Sequence, residues 1–256
     1  QAAALYQSGK YGRFQLAVWY MLDKVMVVDP NHDPMFFATA DFAEKNTPIS
    51  FLTVHMCDAL IKIVDLAPVE VRAVGYSQKL PALAPVAVKG YDLVDTEIRF
   101  HNGATAHIIT GWHLPNSAHA TTVQSSRMIC SEGLLDLALD TPGYYEIHAD
   151  GLSQVNPLFK TFEKDGTVTG YGISSPGRIY QKILAGRNGT LPAAVREQMM
   201  SATALGFTTS LVLAGAEQSL HQGSPSAAGV TAGRRVDLRE LLVTELGEAA
   251  AADYGY

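Results

Sequence analysis

The stretch Asp92-Leu93-Val94-Asp95-Thr96-Glu97-Ile98-Arg99-Phe100-His101-Asn102-Gly103-Ala104-Thr105-Ala106-His107-Ile108-Ile109-Thr110-Gly111-Trp112-His113 decides the fold class. Apolar and polar residues alternate on both sides of the turn His101-Asn102-Gly103, so residues 92–100 and 104–113 read as the arms of an antiparallel hairpin. A second hairpin follows, in which Met128 to Cys130 leads through Ser131-Glu132-Gly133 into Leu134 to Leu139. Upstream, Val69-Glu70-Val71-Arg72-Ala73-Val74 alternates as a half-buried strand. Arg13 to Tyr20 is dense in aromatic and β-branched residues and also reads as a strand.

Helices flank these strands. Leu52, Met56, Ala59, Leu60, Ile63 and Val64 recur near helical spacing and predict a helix over residues 52–65. Ala2 to Gly9 reads as the end of a helix stopped at Ser8-Gly9. The segments 29–34 and 80–85 each hold two prolines and are loops. In the last third, Pro192 suits a first helical position, and apolar residues continue to Leu220. A single helix of that length would run about 45 Å, so Gly206 and Thr208-Thr209 predict a break. Past Gly223 the chain turns to Ser, Pro, Ala and Gly, then gives one amphipathic segment, 236–242, and an alanine-rich end.

Strand, helix, hairpins, then helices: this order argues for an α+β fold, an open and mostly antiparallel sheet with helices on one face. The uncovered face then needs a partner, and a homo-oligomer through it is expected.

Composition narrows the function classes. With 256 residues, 47% hydrophobic and 17% charged, the chain is neither disordered nor a coiled coil. A net charge of −6 argues against nucleic-acid binding by phosphate neutralisation. No run of roughly 18 uninterrupted apolar residues predicts a membrane span, and Leu205 to Ala216 is broken by Thr208-Thr209-Ser210. The two cysteines, Cys57 and Cys130, make neither a disulfide framework nor a thiolate zinc cage, and a cytoplasmic setting is expected. His101, His107, His113 and His119 fall every six residues. That period keeps one sheet face but separates neighbours by about 20 Å, so no metal site is expected.

Several motifs together resemble those of the glucose-fructose oxidoreductase / inositol dehydrogenase (Gfo/Idh/MocA) family. Thr53-Val54-His55-Met56-Cys57-Asp58-Ala59-Leu60 followed by Pro68-Val69-Glu70-Val71 looks like that family's His-x-x-Asp-x-Leu helix and succeeding strand. Ser8-Gly9-Lys10-Tyr11-Gly12-Arg13 resembles its connection into the second domain. Asp95 to Ala104, Ser131 to Leu135 and Ala216 to Gly223 are similar to later family segments, so the likeness runs over residues 8–223 in order and spacing.

The resemblance implies that residues 1–12 are a connection from an absent dinucleotide-binding domain, 13–223 the family's second domain and 224–256 a tail. Family members begin with a Rossmann domain whose Gly-x-Gly-x-x-Gly turn holds NAD(P). Gly170-Tyr171-Gly172 lacks the third glycine, and the family's Glu-Lys-Pro motif is missing. NAD or NADP is therefore implied for the full-length protein, with none bound by this chain alone. The implied role is the substrate and oligomerisation half of an oxidoreductase acting on a sugar or polyol, the isolated chain being inactive.

Within that resemblance His55 takes the family histidine position, where an imidazole can handle the substrate hydroxyl proton. Asp33, Trp112, His113 and Lys24 are the expected substrate contacts, with Tyr20 beside Lys24 and Asp58 structural. Where the family's dehydrogenases carry an aspartate, four residues before His55, this chain has Phe51. That departure resembles the galactose-repressor branch of the family and raises a second reading, a noncatalytic ligand sensor. A stand-alone dimerisation domain is a third.

Overall fold

A computed structural model describes residues 2–138, 144–148, 151–155, 160–162, 164–170 and 172–253. It divides into two compact units, one of Gln1–Leu139 with Leu205–Tyr256 and one of Asp140–Ala204. The first opens with α1 (Ala2–Gln7) and β1 (Phe14–Lys24), then α2 (Phe42–Lys45) and α3 (Val54–Val64). Next come β2 (Pro68–Tyr76), β3 (Leu93–Phe100), β4 (Thr105–Leu114), β5 (Thr122–Cys130) and β6 (Gly133–Ala138). The second unit holds β7 (Tyr144–His148) paired with β8 (Gly151–Val155), β9 (Lys160–Phe162) paired with β10 (Val168–Gly170), and α4 (Ser175–Arg187). The helix α5 (Ala193–His221) returns the chain to the first unit, which closes with β11 (Ser224–Pro225), β12 (Val230–Ala232), β13 (Val236–Asp237), α6 (Leu238–Leu246) and α7 (Glu248–Asp253).

The fold is α+β, with one open sheet in the order β11-β12-β2-β3-β4-β1-β5-β6 and β13 also on β2. Both expected hairpins are there: β3 with β4, turning at Gly103 with φ +84°, and β5 with β6. The pair β1–β4 is parallel, with Trp19 opposite Ile108 and Asp23 opposite Trp112. All other pairs in this sheet are antiparallel.

Strand alternation sends one set of side chains into the core. Phe14, Ala17 and Trp19 of β1 join Val94, Ile98 and Phe100 of β3, Ala106 and Ile108 of β4, and Met128 and Cys130 of β5. Against them pack Cys57, Leu60, Ile61 and Val64 of α3, Leu211, Val212, Ala216 and Leu220 of α5, and Leu238 and Leu242 of α6. Burial pushes both thiols up, and that of Cys57 furthest, with the Asp58 charge adding to the effect.

The opposite face alternates charge with apolar residues. One row across it runs Arg72, Glu97, His107, Val18, Arg127, Asp136. Arg235 reaches Glu97 at 2.9 Å and Glu70 at 3.5 Å, and Arg127 pairs with Asp136. Val18, Ile129 and Leu134 are exposed between these pairs.

Three features differ from the sequence reading. The break expected near Gly206 is absent: α5 is one helix of 29 residues. A glycine inside a helix costs only about 1 kcal/mol, and Ser210 absorbs its polarity by donating its hydroxyl to the Gly206 carbonyl at 2.8 Å. By length and composition, α5 is also long and apolar enough to cross a membrane. Its buried stripe Leu211, Val212, Ala216 and Leu220 nevertheless belongs to the sheet core. Residues after Gly223 extend the sheet instead of trailing from it, because β12 and β13 both pair with β2. Asp237 then caps α6, its side chain accepting from the Glu240 N–H at 2.8 Å.

Gly215 marks where α5 meets the sheet most closely. A Cβ there would lie 2.6 Å from Val71 Cγ1 and 2.8 Å from Leu238 Cδ2, both side chains being buried. Alanine gains about 1 kcal/mol of helix propensity, whereas overpacking a filled core costs about 1–3 kcal/mol. Gly215→Ala is therefore expected to lower the urea midpoint, and a raised midpoint would show that the helix relaxes away freely.

Candidate substrate site

The parallel strands β1 and β4 end together, and the ends carry Asp23-Lys24 and Trp112-His113. Beyond Lys24 the chain makes a 3-10 turn, Val25–Val27, and enters the loop of residues 29–34. Asn31 stitches this loop to the 84–88 segment, donating to the Val86 carbonyl and accepting from its N–H, both at 3.0 Å. Asp33 stands exposed in that loop before a cis peptide to Pro34, and His32 Nδ1 lies 2.8 Å from the Pro34 carbonyl.

A second apolar cluster closes the strand ends. Val25, Val27, Val28, Ala43, Leu52, Leu80 and Val88 surround Trp112. Phe42 and Phe51 meet the indole at 6.1 and 6.3 Å, and Phe37 stacks on Phe42 at 3.8 Å. Trp112 is wholly buried, with no hydrogen-bond partner for its indole nitrogen. Its flat face, expected to meet a sugar, is instead part of this packing.

Phe51 sits in a π-helical turn, Ile49–Thr53, that precedes α3. The turn is pinned to β4 by Thr53 Oγ1 and Thr110 Oγ1 at 2.7 Å, both residues fully buried. Just before it, the Thr47 hydroxyl donates to Glu217 of α5, a carboxyl whose pKa burial pushes up against the opposing pull of that bond and of His221. These ties fix the start of α3, where His55 is exposed on the first turn. Among the described residues no side-chain hydrogen bond or ion pair holds His55 or Asp33. Asp58 accepts from Thr209 of α5 at 3.4 Å, a tie between helices.

Lys24 is half-buried, its N–H donating to the Thr121 carbonyl at 2.8 Å. His113 is half-exposed and follows the buried Trp112 at an irregularity in the β1–β4 pairing. The expected contacts Lys24, Trp112 and His113 are thus brought to one edge of the sheet, with Trp112 enclosed. Among the described residues no group of three or more His, Cys, Asp or Glu side chains is arranged to hold a metal ion.

Sequence reasoning missed Asp23. It is 5% exposed at the end of β1 and accepts from the Thr122 hydroxyl at 2.6 Å. Burial raises its pKa to about 6, against the smaller opposing effect of that hydrogen bond. The available signal was an aspartate inside the apolar run Tyr20-Met21-Leu22-Asp23-Lys24-Val25, three residues past the predicted strand.

Among the described residues, the parallel pair β1–β4 does not form a dinucleotide cradle: β1 leads through Lys24 into a 3-10 turn with no glycine and no helix start.

No model of a known protein family matches this chain, and no curated protein matches it in sequence. Solved structures do match its fold. One is a scyllo-inositol dehydrogenase from Lactobacillus casei with bound NAD(H) and scyllo-inositol, at 15% identity and a TM-score of 0.53, covering 93% of this chain and 60% of that one. A myo-inositol dehydrogenase from Corynebacterium glutamicum ATCC 13032 is 16% identical, with a TM-score of 0.50 and coverage of 92% and 60%. GenD2 from gentamicin A biosynthesis, in complex with NAD, is 16% identical with a TM-score of 0.55, over 92% and 59%. This chain therefore spans about three fifths of the length of these solved structures. At these identities the likeness establishes a fold shared with these solved structures.

The buried Asp23 gives a pH signature. Its folded pKa lies above the unfolded value, so the stability it contributes is full at about pH 4 and is lost as pH rises through about 6. Asp23→Asn removes the ionisation and is expected to stabilise by about 1–3 kcal/mol at pH 8 while changing little at pH 4. Urea midpoints of both proteins at the two pH values check this; equal differences at both would refute it.

Proposed function

We propose that this chain is the substrate-holding and oligomerisation half of an NAD(P)-dependent oxidoreductase acting on a sugar, polyol or related hydroxy compound. The observation that carries the reading is the fold match: nearly the whole chain superposes on inositol dehydrogenases, but on only three fifths of each. Fold alone does not settle function, so the residues must also supply the chemistry. The dinucleotide is assigned to a preceding domain, with residues 1–12 as the connection.

Oxidising a secondary alcohol requires a base near neutral pH at the hydroxyl. His55 is the residue we assign to it, because the π-turn presents its exposed imidazole at the start of α3, held in place by the Thr53–Thr110 and Thr47–Glu217 ties. Asp33 and Lys24 lie on the segments that border that end of the sheet and are assigned to substrate hydroxyls. Trp112 acts from behind, as the wall that supports Phe42 and Phe51. A second copy is assigned to the open sheet face, where its rows of charge and exposed Val18, Ile129 and Leu134 offer self-complementary cover. The two buried, unbridged cysteines agree with a cytoplasmic setting.

One observation favours a second reading. Phe51 belongs to the aromatic cluster with Phe37, Phe42 and Trp112, so no carboxylate backs the imidazole from that position. A protein that binds its ligand without oxidising it would need none.

The full-length gene product distinguishes the two. With NAD or NADP and a panel of inositols and hexoses, an oxidoreductase gives reduced cofactor, and His55→Asn lowers kcat by about 100-fold with little change in KM. Ligand binding by calorimetry with no turnover on any of them overturns the enzyme and leaves the sensor.

A further inference from the structure

Asp92 is 1% exposed, and its position is over-determined. Its N–H donates to the Tyr76 carbonyl at 2.8 Å, and its own carbonyl accepts from the Trp112 N–H at 2.9 Å. Side-chain Oδ1 accepts from three successive backbone N–H groups, those of Gln78 at 2.6 Å, Lys79 at 2.9 Å and Leu80 at 3.5 Å. Gly111 makes this approach possible, since a Cβ there would strike the Asp92 carbonyl at 2.3 Å. The other oxygen, Oδ2, is buried with no hydrogen-bond partner. The imidazole Nδ1 of His113 lies 3.8 Å from it.

A buried carboxylate oxygen without a donor is costly, and the half-exposed imidazole beside it is the group able to supply one. At 3.8 Å the contact is longer than a formed hydrogen bond, as such pairs often are before a ligand closes them. A proton on Nδ1 facing Oδ2 leaves the second nitrogen, Nε2, as an acceptor turned away from the carboxylate. The backbone of His113 is held as well, because Lys79 Nζ donates to its carbonyl at 2.7 Å.

We propose that Asp92 is a positioning residue that holds His113 in its Nδ1–H tautomer, making Nε2 a fixed acceptor for a hydroxyl of a polyhydroxy compound bound at the C-terminal end of β4. The class follows from the donors and acceptors present. Nε2 in this state needs a proton from its ligand, which an anion cannot give and a hydroxyl can. Lys24, in register with Leu114 on the neighbouring strand, offers an ammonium to a further hydroxyl oxygen. The site rests on its own geometry and stands whether or not His55 serves an oxidation.

Long-range proton–nitrogen spectra of the labelled 256-residue chain at about pH 8.5, where imidazoles are neutral, test it; His113→Gln assigns the signals. The expected result is the Nδ1–H tautomer in the wild type. In Asp92→Asn the amide keeps its carbonyl on the backbone N–H groups and turns its NH2 to His113, which forces the Nε2–H tautomer. Carbethoxylation of His113, read from its peptide mass, is expected to slow about tenfold in that variant as Nε2 loses its lone pair. Myo-inositol, used as the probe, is expected to move the His113 Nε2 resonance in the wild type only. An Nε2–H tautomer in the wild type overturns the positioning role even if Asp92→Asn does not fold. A correct tautomer with no response to myo-inositol overturns the polyhydroxy ligand. Neither readout depends on turnover, so failure here is separable from failure of the oxidoreductase reading.

Discussion

The parallel pairing of β1 with β4 constrains the rest of the first unit. Parallel neighbours cannot be joined by a tight turn, so everything from the 3-10 turn after β1 to the end of β3 must travel before β4 can take its place. The route carries α3 across the sheet and returns through β2 and β3, which pair antiparallel on the way. Because β1 is also paired with β5, it lies inside the sheet, and Trp19, 1% exposed, is buried under the helices. A parallel pair also aligns its two C-terminal ends. That is why Asp23-Lys24 and Trp112-His113, far apart in sequence, share one edge.

Burial then sorts these residues by chemistry. On the helix side, Asp23 is left with a single hydroxyl donor, and desolvation outweighs that bond, raising its pKa to about 6. Asp92 at the same edge has three backbone donors on one oxygen and an imidazole near the other. Two buried aspartates thus differ in what surrounds them: one is held by desolvation close to neutrality, the other is embedded among donors. Phe51 completes the contrast. Its partly buried ring meets Phe37, Phe42 and Trp112, where a carboxylate would face apolar side chains.

Most of the first unit was legible from periodicity. The hairpins at 93–114 and 122–138 and the helix at 54–64 declare themselves because one face of each is buried, and burial of one face is what produces a regular pattern. The elements missed are those without such a face. The helix α4 has no buried residue, and β11 to β13 are only two or three residues long, below what alternation can reveal. The continuity of α5 was misjudged at Gly206, where the helix has open space and the side chain's absence matters little. Leu139, the expected end of the second hairpin, and Tyr171 of Gly170-Tyr171-Gly172 lie outside the described residues.

For the candidate site the division is sharper. The sequence by itself determined the α+β class, the two hairpins, the helix bearing His55, the loop bearing Asp33 and the replacement of a carboxylate by Phe51, because these depend on residue type and spacing along the chain. Only the tertiary structure decided that Trp112 is enclosed, that Asp23 is buried and that His113 stands beside Asp92. Those outcomes depend on which strands become neighbours and which oxygen meets which donor. Asp92 and His113 are 21 positions apart, yet one turn of hairpin register and a missing side chain at Gly111 bring a carboxylate to an imidazole. Periodicity reports that a side chain is buried; it does not report what the side chain is buried against.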